Sequence, residues 1–234
     1  MNILIEDEWN AYDIIEYCKN KNIDYHVMPH EEISKLHNIE FFEGPFFCST
    51  DIIQKYLKKR NLASKIPDTY PGTFDKYFKR NIRKIKYSDL KREPLPFFIK
   101  SINNDKKISG TKVMNRTDEN DIWIINNVVP LPDMEVYISD IVNFVVEYRL
   151  LIGNRKIYGI GYQQGNKNIS VDKVFLDEVI NLCGYDFYCI DIGYLENIKE
   201  WAIVEVNPPF SLDDYDIPLN NYMEYAIDFW KSLE

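Results

Sequence analysis

The stretch Trp201-Ala202-Ile203-Val204-Glu205-Val206-Asn207-Pro208-Pro209 decides how this sequence is read. Its β-branched and aromatic residues predict a strand, and the two prolines end it. Strict alternation puts Trp201, Ile203, Glu205 and Asn207 on one face. A carboxylate and an amide at the end of an apolar strand are costly to bury without a partner. Mg²⁺, which takes hard oxygen ligands, is a natural one. Just upstream, Tyr188-Cys189-Ile190-Asp191 reads as a strand ending in a second carboxylate. Paired as a hairpin, the two strands bring Asp191 to Glu205 and Asn207. The competing reading makes Asp191 a turn cap and gives Glu205 an arginine partner.

Two cationic strands lie further upstream. In Glu147-Tyr148-Arg149-Leu150-Leu151 the acid and the arginine share a face, opposite Phe144, Val146, Tyr148 and Leu150. An arginine on a half-buried strand needs an anion, and its planar fork suits a phosphate or acyl phosphate as well as a neighbouring carboxylate. Lys100 ends the strand Pro96-Phe97-Phe98-Ile99-Lys100, where it either points at phosphates or snorkels to water. The loop Lys106-Lys107-Ile108-Ser109-Gly110-Thr111 follows, with one glycine and no P-loop pattern.

Outward from these segments, Asn2 to Ile5 reads as a buried strand, Ala11 to Lys21 as a helix and Tyr25 to Met28 as a second strand, the signature of a small α/β unit with parallel strands. Thr50-Asp51 can cap a helix running to Arg60. Pro67 to Gly72 is a breaker-rich link and a subdomain boundary. From Pro94 the pattern turns to β: Pro96–Ser101, Trp123–Asn126, Glu135–Ile138, Asn143–Ile152, Lys156–Tyr162, Tyr185–Asp191 and Trp201–Asn207 read as strands, with helices over Val171–Leu182 and Asn220–Leu233. The fold class is α+β, with mostly antiparallel pairing in the second half.

Composition narrows the function. A chain of 234 residues with 45% hydrophobic residues can build a core unaided by disulfides. Apolar runs are strand-length, so no membrane span is expected, and the early acids after Met1 give no signal-peptide pattern. Cys18, Cys48, Cys183 and Cys189 form no C-x-x-C pair and read as buried reduced thiols of a cytoplasmic protein. His26, His30 and His37 do not have zinc-site spacing. Between Lys55 and Arg92 there are 13 Lys and Arg against 3 Asp, a local +10 that leaves −19 for the rest of a chain with net charge −9. That segment, interleaved with Tyr70, Tyr77 and Tyr87, is either a set of solvated faces or a surface for an anionic partner.

Taken in order, Phe98-Ile99-Lys100, Ser109-Gly110, Val136 to Asp140, Glu147-Tyr148-Arg149, Ile190-Asp191 and Glu205-Val206-Asn207 resemble the ATP-grasp superfamily, in particular its short phage and bacterial members. The resemblance covers about Pro94 to Tyr215. It implies an ATP-grasp fold with an N-terminal α/β (pre-ATP-grasp) subdomain over residues 1–72, a small lid subdomain over 73–137 and a C-terminal antiparallel-sheet subdomain over 138–234. It implies roles as well. Lys100 contacts the α- and β-phosphates of ATP. Tyr137, Ile138, Ser139 and Asp140 form the hinge around adenine and ribose, with Glu147 also at the nucleotide. Arg149 stabilises the γ-phosphate and an acyl phosphate. Asp191, Glu205 and Asn207 hold Mg²⁺. Arg80 and Lys84 fall where another phosphate contact is placed, without a choice between them.

The implied activity is an ADP-forming, carbon–nitrogen bond-forming ligation. A carboxylate attacks the γ-phosphate, and an amine, or less often a thiol, displaces phosphate from the acyl phosphate. The partners are then a carboxylate and an amine, small-molecule or peptide, with no membrane and with homodimer formation left open. Two rivals stand beside it: a nucleic-acid-binding or nucleic-acid-modifying protein using the basic segment, disfavoured by the acidic remainder, and a non-catalytic nucleotide binder.

Overall fold

A computed structural model describes residues 2–7, 11–35, 44–102, 108–126, 133–182 and 184–233. Cys183, His37, Lys106 and Lys107 lie outside the described residues.

The N-terminal unit has β1 (Asn2–Glu6), α1 (Ala11–Lys21), β2 (Asp24–Met28), α2 (His30–Lys35), β3 (Phe46–Phe47) and α3 (Thr50–Lys59). Its three strands are parallel in the order β2-β1-β3. Ile3, Leu4 and Ile5 are buried on both faces, which is why β1 reads as an unbroken apolar run. Glu6, at the carboxyl end of β1, is 1% exposed. It accepts from Ser49 N–H and pairs with His30 Nδ1, each at 2.5 Å, tying β1 to the starts of α2 and α3.

The second unit contains α4 (Asp75–Phe78), β4 (Ile82–Lys86), β5 (Phe97–Ser101), β6 (Thr111–Val113), α5 (Glu119–Asn126) and β7 (Glu135–Ser139). Its strands form an antiparallel sheet in the order β4-β7-β5-β6. One face, with Phe97, Ile99, Val113, Val136 and Ile138, packs on Leu90, Ile124 and Ile125. The other carries Lys84, Tyr137 and Lys100 side by side, and next to them Ser139, Phe98 and Lys112, because directly paired residues share a face. β7 runs on to Ser139, past the 137/138 limit.

The segment Trp123–Asn126, expected as a strand, belongs to α5. Asp118 accepts from the backbone N–H groups of Asn120, at 2.9 Å, and Asp121, and so starts a helix. A short apolar run such as Trp123-Ile124-Ile125 does not distinguish the two states, and the upstream cap decides.

The third unit contains β8 (Val146–Gly153), β9 (Lys156–Gly165), α6 (Lys173–Leu182), β10 (Phe187–Leu195), β11 (Glu200–Asn207) and α7 (Leu219–Lys231). The strands are antiparallel in the order β11-β10-β8-β9. One face, with Leu150, Ile152, Tyr188, Ile190, Ile192, Trp201 and Ile203, is closed by α6 and by Phe74, Tyr77 and Phe78. On the other, Leu151 and Cys189 join a core shared with α7 and the N-terminal unit, where Phe46, Tyr56, Phe229 and Trp230 meet edge to face.

β10 continues through Leu195, so Asp191 lies within the strand rather than at its end; Ile192 and Leu195 prolong the buried run. The register also departs from strict alternation. Asp191 pairs with Glu205 but Ile192 pairs with Ile203, leaving Val204 as one extra residue on β11. This β-bulge places Trp201 and Ile203 in the core and turns Glu205 and Asn207 to the opposite face, so the four do not share one.

Cys18, Cys48 and Cys189 are buried free thiols, and no helix among the described residues is long and apolar enough to cross a membrane.

Candidate active site

Four of the sequence-derived residues converge on the polar half of the third sheet. Asp191 pairs directly across the strands with both Arg149 and Glu205. Arg149 donates through Nε and Nη2 to the two Asp191 oxygens, each at 2.8 Å, a bidentate fork. Asn207 Nδ2 donates to Asp191 Oδ2 at 2.9 Å and to Glu205 Oε1 at 3.2 Å. Lys100 crosses from the second sheet to meet Glu205 Oε2, so the pair joins two subdomains. Arg149 and Asp191 are 7% and 2% exposed, whereas the Lys100 and Glu205 side chains keep 15% and 19%.

Burial pushes the Asp191 carboxyl above its ordinary range and nearby Glu205 adds to this, while the Arg149 fork and Lys100 pull it down. Burial likewise raises Glu147, with Asp191 and Glu205 reinforcing it against the Gln164 amide and Arg80. Burial works against the Arg149 charge, but its acidic surroundings hold its pKa above the usual value.

A cavity of about 430 Å³ lies beside this cluster, between the second and third sheets. Ser139, Asp140, Glu147 and Glu205 line it, as do Phe98, Lys112, Phe144 and Gln164, which the sequence reading did not single out. Glu147 accepts from Gln164 Nε2 at 2.6 Å, its cross-strand partner. Of the expected hinge, Ser139 and Asp140 face the cavity and the wall continues through Ile141 and Val142. Ile138 points into the core of the second sheet, and the Tyr137 hydroxyl donates to Asp68. Lys84 also turns to Asp68, at 3.2 Å. Burial favours protonation of Asp68, but these two donors hold its pKa below the ordinary value. Arg80 lines the cavity while its guanidinium donates to backbone carbonyls.

Glycines explain how the neighbouring loop reaches Arg149. A Cβ on Gly161 would lie 2.4 Å from the carbonyl oxygen of Tyr215, so only glycine lets the 213–217 segment rest on the sheet. That segment brings the Asp213 carbonyl to 3.4 Å from Arg149 Nη1 and the Tyr215 ring to 4.5 Å from its guanidinium. Glycine within a strand signals such a close approach. Gly161→Ala is expected to push the segment off, lowering stability by about 1–3 kcal/mol and loosening Arg149. Thermal unfolding would show a drop of roughly 2–10 °C.

The donor chemistry fits Mg²⁺: two carboxylates and an amide are hard oxygen ligands, and they converge on one another. No group of three or more His, Cys, Asp or Glu suited to a metal occurs among the described residues, so the set rests on the amide of Asn207 as third donor.

The basic segment does not form one face. Lys79, Arg83, Lys84 and Lys86 each pair with an acid, namely Glu200, Glu93, Asp68 and Asp133.

Comparison with known proteins agrees with this architecture. The structure of the RimK domain protein ATP-grasp from Sphaerobacter thermophilus superimposes with a TM-score of 0.57 at 11% identity, covering 99% of this chain and 100% of that one. The D-alanine–D-alanine ligase from Bacillus anthracis gives 0.52 at 12% identity, covering 100% of both chains. The ATP-grasp ligase PsnB complexed with minimal precursor gives 0.50 at 9% identity, with 100% and 99% covered. No curated protein matches the chain. A family model described as an ATP-grasp domain, family 2 of its clade, matches residues 77–225, which hold every residue of the cluster above; the chain belongs to that ATP-grasp family.

Proposed function

We propose that the chain is an ATP-dependent, ADP-forming ligase that joins a carboxylate to an amine through an acyl phosphate. The observation that carries this reading is the convergence of Lys100 and Arg149 with Asp191, Glu205 and Asn207 beside a cavity between two sheets. Residues 1–72, 73–137 and 138–234 act as three subdomains, with the nucleotide between the second and third.

Asp191, Glu205 and Asn207 would hold Mg²⁺, which supplies positive charge to neutralise phosphate oxygens. Ser139, Asp140 and the wall after them receive the base, and Glu147, held by Gln164, lies within reach of the sugar. Tyr137 and Ile138 shape the hinge from behind. Lys100 is released from Glu205 to phosphate oxygens as ligand binds. Arg149, fixed by Asp191 and the Asp213 carbonyl, faces the charge that grows on the transferred phosphoryl and on the acyl phosphate. Arg80 and Lys84 lie further back, held by carbonyls and by Asp68. Catalysis is then orientation and charge, with no protein nucleophile.

Small-molecule and peptide substrates both fit this reading: a relative of the same fold is a D-alanine–D-alanine ligase, and another is complexed with a precursor. The test is hydroxylamine trapping. The protein is incubated with ATP, Mg²⁺, hydroxylamine and pools of carboxylic acids and peptides. Hydroxamate formed together with ADP supports the ligase. Nucleotide binding without ADP release for any acid returns the reading to a non-catalytic nucleotide binder.

A further inference from the structure

The bulge at Val204 turns two successive carbonyls of β11, those of Ile203 and Val204, to Arg80. Nη1 donates to Ile203 O at 3.0 Å and to Phe78 O at 3.2 Å, and Nη2 donates to Val204 O at 2.5 Å. β11 is the edge strand of its sheet, so carbonyls that leave the β10 ladder have no neighbouring strand. The same edge is closed a little further on by the Val206 N–H, which donates to Thr69 O at 3.0 Å. Arg80 is itself fixed by rings, with Tyr70, Phe144 and Phe78 centred 5.6, 5.8 and 6.0 Å from its guanidinium carbon.

We propose that Arg80 is a positioning residue of the ligase site, whose three carbonyl contacts hold the Val204 bulge and thereby keep Glu205 and Asn207 on the face that carries Asp191 and Arg149. The proposal rests on the ligase reading for its consequence and on β11 alone for its geometry. Without the extra residue, alternation would carry Glu205 and Asn207 to the side of Trp201 and Ile203, into the apolar core under α6. The planar fork matters because one guanidinium reaches all three oxygens, which the point charge of lysine cannot do. Three of its five N–H groups are spent on backbone, so phosphate contact is not the main task of this cation.

Arg80→Lys keeps a positive charge at the cavity wall and tests the idea in two ways. The first uses protein free of nucleotide and metal. Amide hydrogen exchange over 202–207 is expected to quicken about tenfold, with β1 and α7 unchanged. The second titrates Mg²⁺ at saturating ATP. The half-saturating Mg²⁺ concentration is expected to rise about tenfold, as when a partner of a metal ligand is removed, with KM for ATP nearly constant. Unchanged exchange in 202–207 would overturn the proposal. So would exchange that quickens equally in β1 and α7, which would make Arg80 a general stabiliser, or a raised KM for ATP with an unaltered Mg²⁺ requirement, which would make it a nucleotide contact. If the wild type neither binds nor turns over ATP, the ligase reading falls, and the exchange measurement alone still decides whether Arg80 holds the bulge.

Discussion

Glu205→Ala is expected to lower ATP turnover by about 10³-fold while leaving the protein folded. The two halves of this expectation have different origins. Activity falls because Glu205 is both an oxygen donor beside Asp191 and Asn207 and the partner that holds Lys100 across the cavity mouth. Both functions fail together. Stability changes little because the Lys100–Glu205 pair keeps contact with solvent, where an ion pair contributes about 0–1 kcal/mol. Glu205→Gln separates the two roles. It keeps an oxygen acceptor for Lys100 but removes the negative charge, so its turnover should lie close to that of the alanine variant. Steady-state ADP release, with circular dichroism as the control for folding, reads both.

Arg149→Ala carries the second large effect, and here stability suffers too. Asp191 is 2% exposed and takes both of its fork hydrogen bonds from Arg149. Removing one partner of such a buried pair costs about 3–5 kcal/mol, because the remaining charge stays in a poor dielectric. Turnover should fall by about 10³-fold or more as the charge facing the phosphoryl group disappears. The double variant Arg149→Met with Asp191→Leu tells the two effects apart. Replacing both charges by apolar groups of similar bulk is expected to restore much of the lost stability, since buried ion pairs seldom outperform apolar packing. It should restore no activity. Urea unfolding and ADP release on the three proteins check this. Recovery of activity in the double variant would show that the pair serves the fold alone.

The sequence made the order of the chemical groups legible because each stands out against its strand. A carboxylate in Ile190-Asp191-Ile192, an arginine in Tyr148-Arg149-Leu150 and a lysine after Phe98-Ile99 break apolar runs in which burial would otherwise be free. Antiparallel pairing of the last two strands then places Asp191 opposite Glu205, as expected. The parallel opening unit was legible for a similar reason, since Ile3-Leu4-Ile5 is apolar throughout.

What escaped the sequence depends on non-local geometry. A bulge inserts a residue without a composition signal here, because Val204 is an ordinary strand residue. Alternation therefore put Trp201 and Glu205 on one face, whereas the fold separates them. Arg80 looked like a phosphate ligand because a lone arginine in a basic segment shows its charge and not its partners. Three of those partners are carbonyls, two of them more than a hundred residues away. Lys112 and Gln164 reach the cavity through cross-strand register with Phe98 and Glu147, which no local pattern contains. Trp123-Ile124-Ile125 was a matter of local chemistry: the Asp118 cap was present and outweighs the strand propensity of the run.

The most direct measurement is thermal unfolding of the wild-type protein and of Glu205→Ala with ATP or ADP, each with and without Mg²⁺. At about 100 times its Kd, a nucleotide should add ~2.7 kcal/mol to the folded state. In a chain of 234 residues that amounts to roughly 5–10 °C. The account predicts this shift with ATP and Mg²⁺ together, a much smaller one with ATP alone, and its loss in Glu205→Ala. An unchanged midpoint of the wild type with every nucleotide, with or without Mg²⁺, would contradict it.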